Sequence, residues 1–145
     1  MKTRIVLGSI VVLCLLALPA IASGKGELQK YFSDAATKVK ATENASEKRA
    51  ILNESLQNMS EAMDIVQSSP FASNDDRIGI DRFKASLQEK QDELAGRNGF
   101  VRVSDQQLNA FSDYVVQDME QADQIISISL ITLLLILILV LLLVR

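Results

Sequence analysis

Residues 125–144 read IISISLITLLLILILVLLLV, and they constrain the chain more than any other stretch. Seventeen of the twenty are Leu, Ile or Val. The exceptions, Ser127, Ser129 and Thr132, lie in the first half, and no charge interrupts the run before Arg145. At ~1.5 Å rise per residue, twenty residues reach ~30 Å, the thickness of a bilayer hydrocarbon core. With about 0.3–0.6 kcal/mol per apolar residue, transfer into that core is favoured by ~5–10 kcal/mol. A water-soluble fold would have to cover such a helix on every side, which a 145-residue chain is poorly equipped to do. The run predicts a C-terminal transmembrane helix.

The other end is apolar too. Lys2 and Arg4 precede an apolar stretch over residues 5–18, Pro19 breaks it, and Ala20-Ile21-Ala22 has the small-x-small form of a cleavage site. This is the layout of a secretory signal peptide over residues 1–22; the alternative is an uncleaved second span. Cys14, the chain's one cysteine, would leave with it, so the mature chain would have no thiol. An exported domain over residues 23–124 and a span over 125–144 then fix the topology. The acidic flank of Asp118, Glu120 and Asp123 faces outward, and Arg145 lies on the cytoplasmic side.

All eighteen Asp and Glu fall in residues 23–124 with twelve of the fifteen Lys and Arg, a net charge of −6 there. An acidic domain without a basic patch has no electrostatic pull toward nucleic acid.

Within this domain the apolar residues keep helical spacing. Leu28, Phe32, Ala35 and Val39 form one face. Leu52, Leu56, Met59, Met63 and Val66 repeat in steps of four and three, a two-heptad seam able to pack inside a bundle or pair between chains. Whether residues 27–67 form one helix or two is left open; Asn44, with Glu47 three residues on, is a possible N-cap. Ser68-Ser69-Pro70 ends this run. A third helix is expected over about residues 76–95, capped by Asn74 or Asp75, with a face of Ile80, Phe83, Leu87 and Leu94 and a polar gap at Lys90-Gln91. Gly96 and Asn98-Gly99 suit a left-handed stop. Ser104 and Gln107 have capping-box spacing, followed by Leu108, Phe111, Val115, Met119 and Ala122. With no breaker before Ile125, one continuous helix from Asp105 into the span is predicted. The expected fold is therefore all-α: a small up-down bundle of three to four amphipathic helices whose last helix continues into the transmembrane helix.

Few residues suggest chemistry. There is no His, which excludes Ser-His and Cys-His nucleophile systems and His-containing metal sites. Carboxylate pairs remain, but charges such as Glu89-Lys90 and Asp92-Glu93 read as solvated helix faces. Asn74–Asp81 superficially has the acids and glycine of a calcium loop, yet Ile78 and Ala85 stand where oxygen ligands are needed. No Gly-rich phosphate loop follows a strand. Three Asn-x-Ser triplets, at Asn44, Asn53 and Asn58, fit a glycosylation pattern expected by chance in so Asn- and Ser-rich a chain. No catalytic, cofactor-binding or metal-binding residue is assigned, and no enzymatic activity is expected. Met59, Met63 and Met119 read as core, with an adaptable partner groove as the alternative. Ser127, Ser129 and Thr132 could bond to a neighbouring span.

In layout the chain is similar to the outer half of bacterial helical-bundle receptors. It lacks the signalling portion that follows the span in those proteins, so their function is not implied. The expectation is a single-pass membrane protein, its helical domain on the periplasmic or extracellular side and its C-terminus in the cytoplasm. Its partners are the lipid bilayer and either a second copy (a homo-oligomer) or a membrane protein. The alternative is a sensor or ligand-binding bundle acting through a partner subunit.

Overall fold

A computed structural model describes residues 25–125 and 130–143. The expected signal peptide over residues 1–22 with its expected cleavage site, and the hydroxyls of Ser127 and Ser129, lie outside the described residues. The elements are α1 (Lys25–Ala41), α2 (Ala45–Gln67), α3 (Asn74–Ala95), a 3-10 turn (Asp105–Gln107), α4 (Leu108–Ile125) and α5 (Leu130–Leu143). The described residues are all-helical and contain no strand.

Side-chain contacts fix the helix directions. The Tyr31 hydroxyl donates to the Ser55 carbonyl at 2.8 Å and sets α1 antiparallel to α2. Lys84 pairs with Asp64, and Gln67 donates to the Asp81 carboxylate, so α3 runs back along α2. Lys40 meets Asp113 at 2.5 Å, setting α4 antiparallel to α1. Every apolar residue the spacing selects from Leu28 to Met119 is buried in one core. Each large side chain so buried contributes about 1.5–3 kcal/mol relative to exposure. Met59, Met63 and Met119 sit fully inside it.

Local chemistry sets the boundaries. α1 and α2 are separate helices, because the Asn44 side chain accepts from the amides of Ser46 and Glu47 and opens α2 there. α3 opens at Asn74, two residues earlier than expected: Ser73, rather than Asn74 or Asp75, is the N-cap, and it forms a reciprocal capping box with Asp76. α3 closes at Gly96, which adopts φ 73°. A Cβ there would lie 2.7 Å from the Arg102 nitrogen, so the position excludes a side chain.

Two expectations fail near the C-terminus. Ser104 makes no side-chain cap bond. The Gln107 amide instead bonds the Ser104 carbonyl at 3.0 Å in a 3-10 turn, and Asp105 turns to Arg49 at 2.9 Å. Nor does a single helix run straight from Asp105 into the apolar tail. α4 is described to Ile125, and α5, described from Leu130, lies along α2 and touches α1. Its Ile136, Leu137 and Val140 join the common core, where the apolar surface of the bundle covers them. α5 has 14 residues, ~21 Å of helix. No described helix is long and apolar enough to cross a membrane.

Candidate functional site

Among the described residues, chemistry concentrates in two buried polar arrangements and a shallow depression. The first centres on Lys90. The spacing Ile80, Phe83, Leu87, Leu94 carries position 90 on the core face, and Lys90 is fully buried there rather than solvated as its neighbours in sequence suggested. Its Nζ donates to Glu93 Oε1 at 2.8 Å and to the Tyr114 hydroxyl at 2.7 Å. It also pairs with Asp118 Oδ2 at 2.8 Å and lies 4.2 Å from the Tyr114 ring centre. Burial alone would lower the Lys90 pKa. Hydrogen bonds to Asp118, Glu93 and Tyr114, with the Asp118 charge, outweigh it and hold the ammonium above its ordinary range. A lysine so held is neither a base nor a nucleophile at neutral pH; it locks α3 to α4.

Beside it, Asp92 serves the end of α3. Its carboxylate accepts from Asn98 Nδ2 at 2.7 Å and Gln88 Nε2 at 3.0 Å, and faces Arg97 at 3.4 Å. The Asn98 bond, against the opposing effect of burial and with help from Gln88 and Arg97, keeps its pKa below the usual carboxylate value. Arg49 works at the same end. It donates to the carbonyls of Leu94 and Val103 at 3.1 and 2.8 Å and so clasps the α3–α4 connection to the start of α2. These groups are structural staples.

The second arrangement joins the apolar tail to the bundle. Thr132 is the one residue of α5 with a polar side chain, and it is fully buried. Its hydroxyl donates to Asp76 Oδ2 at 2.7 Å, across 56 residues of sequence. Thr132 thus bonds within its own chain. The same Asp76 oxygen accepts the Ser73 amide at 3.2 Å, so one carboxylate caps α3 and receives α5. Opposite this buried face, Ile138, Leu142 and Leu143 of α5 are exposed.

The depression lies between α2 and α3 and is lined by Asn53, Gln57, Ser60, Glu61, Gln91 and Arg97. It is open and polar, without the apolar walls that enclose a small ligand. Asp75, Asp76 and Asp81, which superficially looked like a calcium loop, are spread over the first two turns of α3, where Asp76 caps and Asp81 bonds Gln67. Among the described residues no group of three or more Asp, Glu, His or Cys could hold a metal ion.

The Lys90 position was legible in its spacing, since steps of three and four from Ile80 reach it. Nothing in the sequence marks Thr132 as Asp76's partner. Comparison with protein-family models, curated proteins and solved structures finds no match.

Proposed function

We propose that the chain is a single-pass membrane-anchored interaction protein. Residues 125–144 span the bilayer, and the helical domain over residues 23–124 lies on the periplasmic or extracellular side, pairing with a second copy or a membrane partner. The observation that carries this reading is α5 itself. It holds no charge and one hydroxyl, and even packed on α2 it leaves Ile138, Leu142 and Leu143 facing water. A bilayer covers the whole circumference, and with residues 125–129 and Val144 the segment has the length to cross one. When α5 enters lipid, the apolar strip it covers on α2 and α1 becomes free. That strip is where a helix of the partner packs in its place.

Membrane fractionation with cross-linking tests both parts. The chain is expected to remain in the pellet after alkaline carbonate extraction and to cross-link into discrete dimers or a defined hetero-complex. Release into the carbonate supernatant refutes the anchor. A carbonate-resistant chain that stays monomeric at all cross-linker concentrations refutes the pairing.

A further inference from the structure

We propose that the α2–α3 turn, led by Phe71, inserts into the headgroup–acyl boundary of the bilayer that holds residues 125–144; this rests on the membrane anchor proposed above. The first support is register. The Lys90–Asp118 contact places α3 and α4 side by side. From there α4 advances seven residues to Ile125, ~10 Å, while α3 advances fourteen to Asp76, ~21 Å. The turn therefore projects ~10 Å beyond the level at which the apolar run begins. A bundle carried on a span entering the membrane along α4 cannot keep that turn in water.

The second support is what the turn displays. Phe71 is 69% exposed at its apex, with Ile65 at 49% near the end of α2 and Ile78 at 52% in the first turns of α3. Interfacial insertion of apolar side chains reaches about 5–10 Å, which matches the projection.

The third is charge. Residues 67–84 hold Asp75, Asp76 and Asp81 against Arg77, Arg82 and Lys84, a net charge of zero in a domain that carries −6. A neutral apolar tip suits a zwitterionic surface, and no basic cluster calls for anionic lipid. Exposure alone does not select this site. Phe100 and Val101 are exposed in the α3–α4 connection, at the opposite end of the bundle, where no apolar run enters. Position decides between them.

The chain has no Trp, so single tryptophans report cleanly. The full-length protein is reconstituted in phosphatidylcholine vesicles carrying a quencher at a shallow or a deep acyl position. Three variants are compared: Phe71→Trp, Val101→Trp and, mid-span, Leu135→Trp. Phe71 and Val101 are surface positions, so those two substitutions leave the core intact. The expected result is blue-shifted emission from Phe71→Trp, lost mostly to the shallow quencher, and from Leu135→Trp, lost mostly to the deep one. Val101→Trp emission stays red-shifted and unquenched. If Leu135→Trp is quenched and Phe71→Trp is not, the tip insertion is wrong and the anchor stands. If Leu135→Trp escapes quenching, the anchor fails and the inference falls with it. If Phe71→Trp and Val101→Trp are quenched alike, the bundle lies flat on the lipid and the assignment to this turn is overturned.

Discussion

Substituting Lys90 tests whether the fully buried ammonium holds the bundle together. Lys90→Met keeps most of the apolar stem and removes Nζ, with its bonds to Glu93, Tyr114 and Asp118. Removing one member of a fully buried ion pair costs about 3–5 kcal/mol. Here the Glu93 and Asp118 side chains remain 18% and 35% exposed and regain water once freed. Screening therefore brings the expected loss to about 2 kcal/mol. Lys90→Ala also deletes the packed stem and should lose about 2 kcal/mol more. At roughly 4–8 °C per kcal/mol for a domain of this size, Lys90→Met should melt ~8–16 °C below wild type. Far-UV circular dichroism of the full chain in mild detergent at pH 7 reads this directly. The pH dependence has a definite sign. Because the folded pKa lies above the unfolded one, the lysine's contribution is complete below about 10.4 and is lost as pH rises through the folded value. The gap between wild type and Lys90→Met should stay constant from neutral to mildly alkaline pH and close only in strong alkali. Lys90→Met melting at or above wild type would refute the reasoning, since it would mean that desolvation outweighs the three contacts.

Other staples give simpler expectations. Gly96→Ala forces a Cβ onto a residue with φ 73° and within 2.7 Å of the Arg102 nitrogen; a loss of about 1–3 kcal/mol in urea unfolding is expected. Arg49→Leu removes the donors to Leu94 and Val103 and the contact to Asp105, and should cost about 1–3 kcal/mol, with faster amide exchange in residues 96–104 as its local signature. Asp92 has a depressed folded pKa, so its contribution is present above the unfolded value near 3.9 and is lost as pH falls through the folded one. Asp92→Asn should therefore flatten the acid limb of the stability profile and leave the alkaline limb unchanged.

The helical bundle was legible because its signals are local and repeated. The stripes on α1, α2, α3 and α4 need only periodicity, and Asn44, Pro70 and Gly96 mark breaks through backbone chemistry that no tertiary contact has to supply. Lys90 was misread because residue type was weighed above position, although the same spacing that selects Leu87 and Leu94 selects it. Ser104 was misread because a capping box and a 3-10 turn have the same sequence signature, and Arg49, distant in sequence, draws Asp105 into the second. The placement of α5 was not legible at all. A helix apolar on every side has no preferred face, so periodicity cannot say which partner it meets. The Thr132–Asp76 bond and the burial of Ile136, Leu137 and Val140 set its position, and that pairing links residues with no sequence relation.

That bond also separates the two environments α5 can occupy. In lipid-free solution α5 rests on α2, and Thr132→Val leaves the buried Asp76 carboxylate short of a donor. Asp76 keeps the Ser73 amide, so the loss should be about 1–2 kcal/mol rather than that of an isolated buried charge. In a bilayer the balance reverses. Insertion of the whole apolar segment is favoured by ~5–10 kcal/mol, more than one hydrogen bond of about 1–3 kcal/mol returns to the docked form. Ile136, Leu137 and Val140 stay covered in either place, so the exposed stripe of Ile138, Leu142 and Leu143 tips the choice toward lipid. Thr132→Val should thus destabilise the domain in solution and leave its unfolding in phosphatidylcholine vesicles unchanged, measured by urea titration of circular dichroism in both media. An equal loss in both would mean that α5 stays on α2 in the presence of lipid, and that the apolar tail is a fifth bundle helix rather than an anchor.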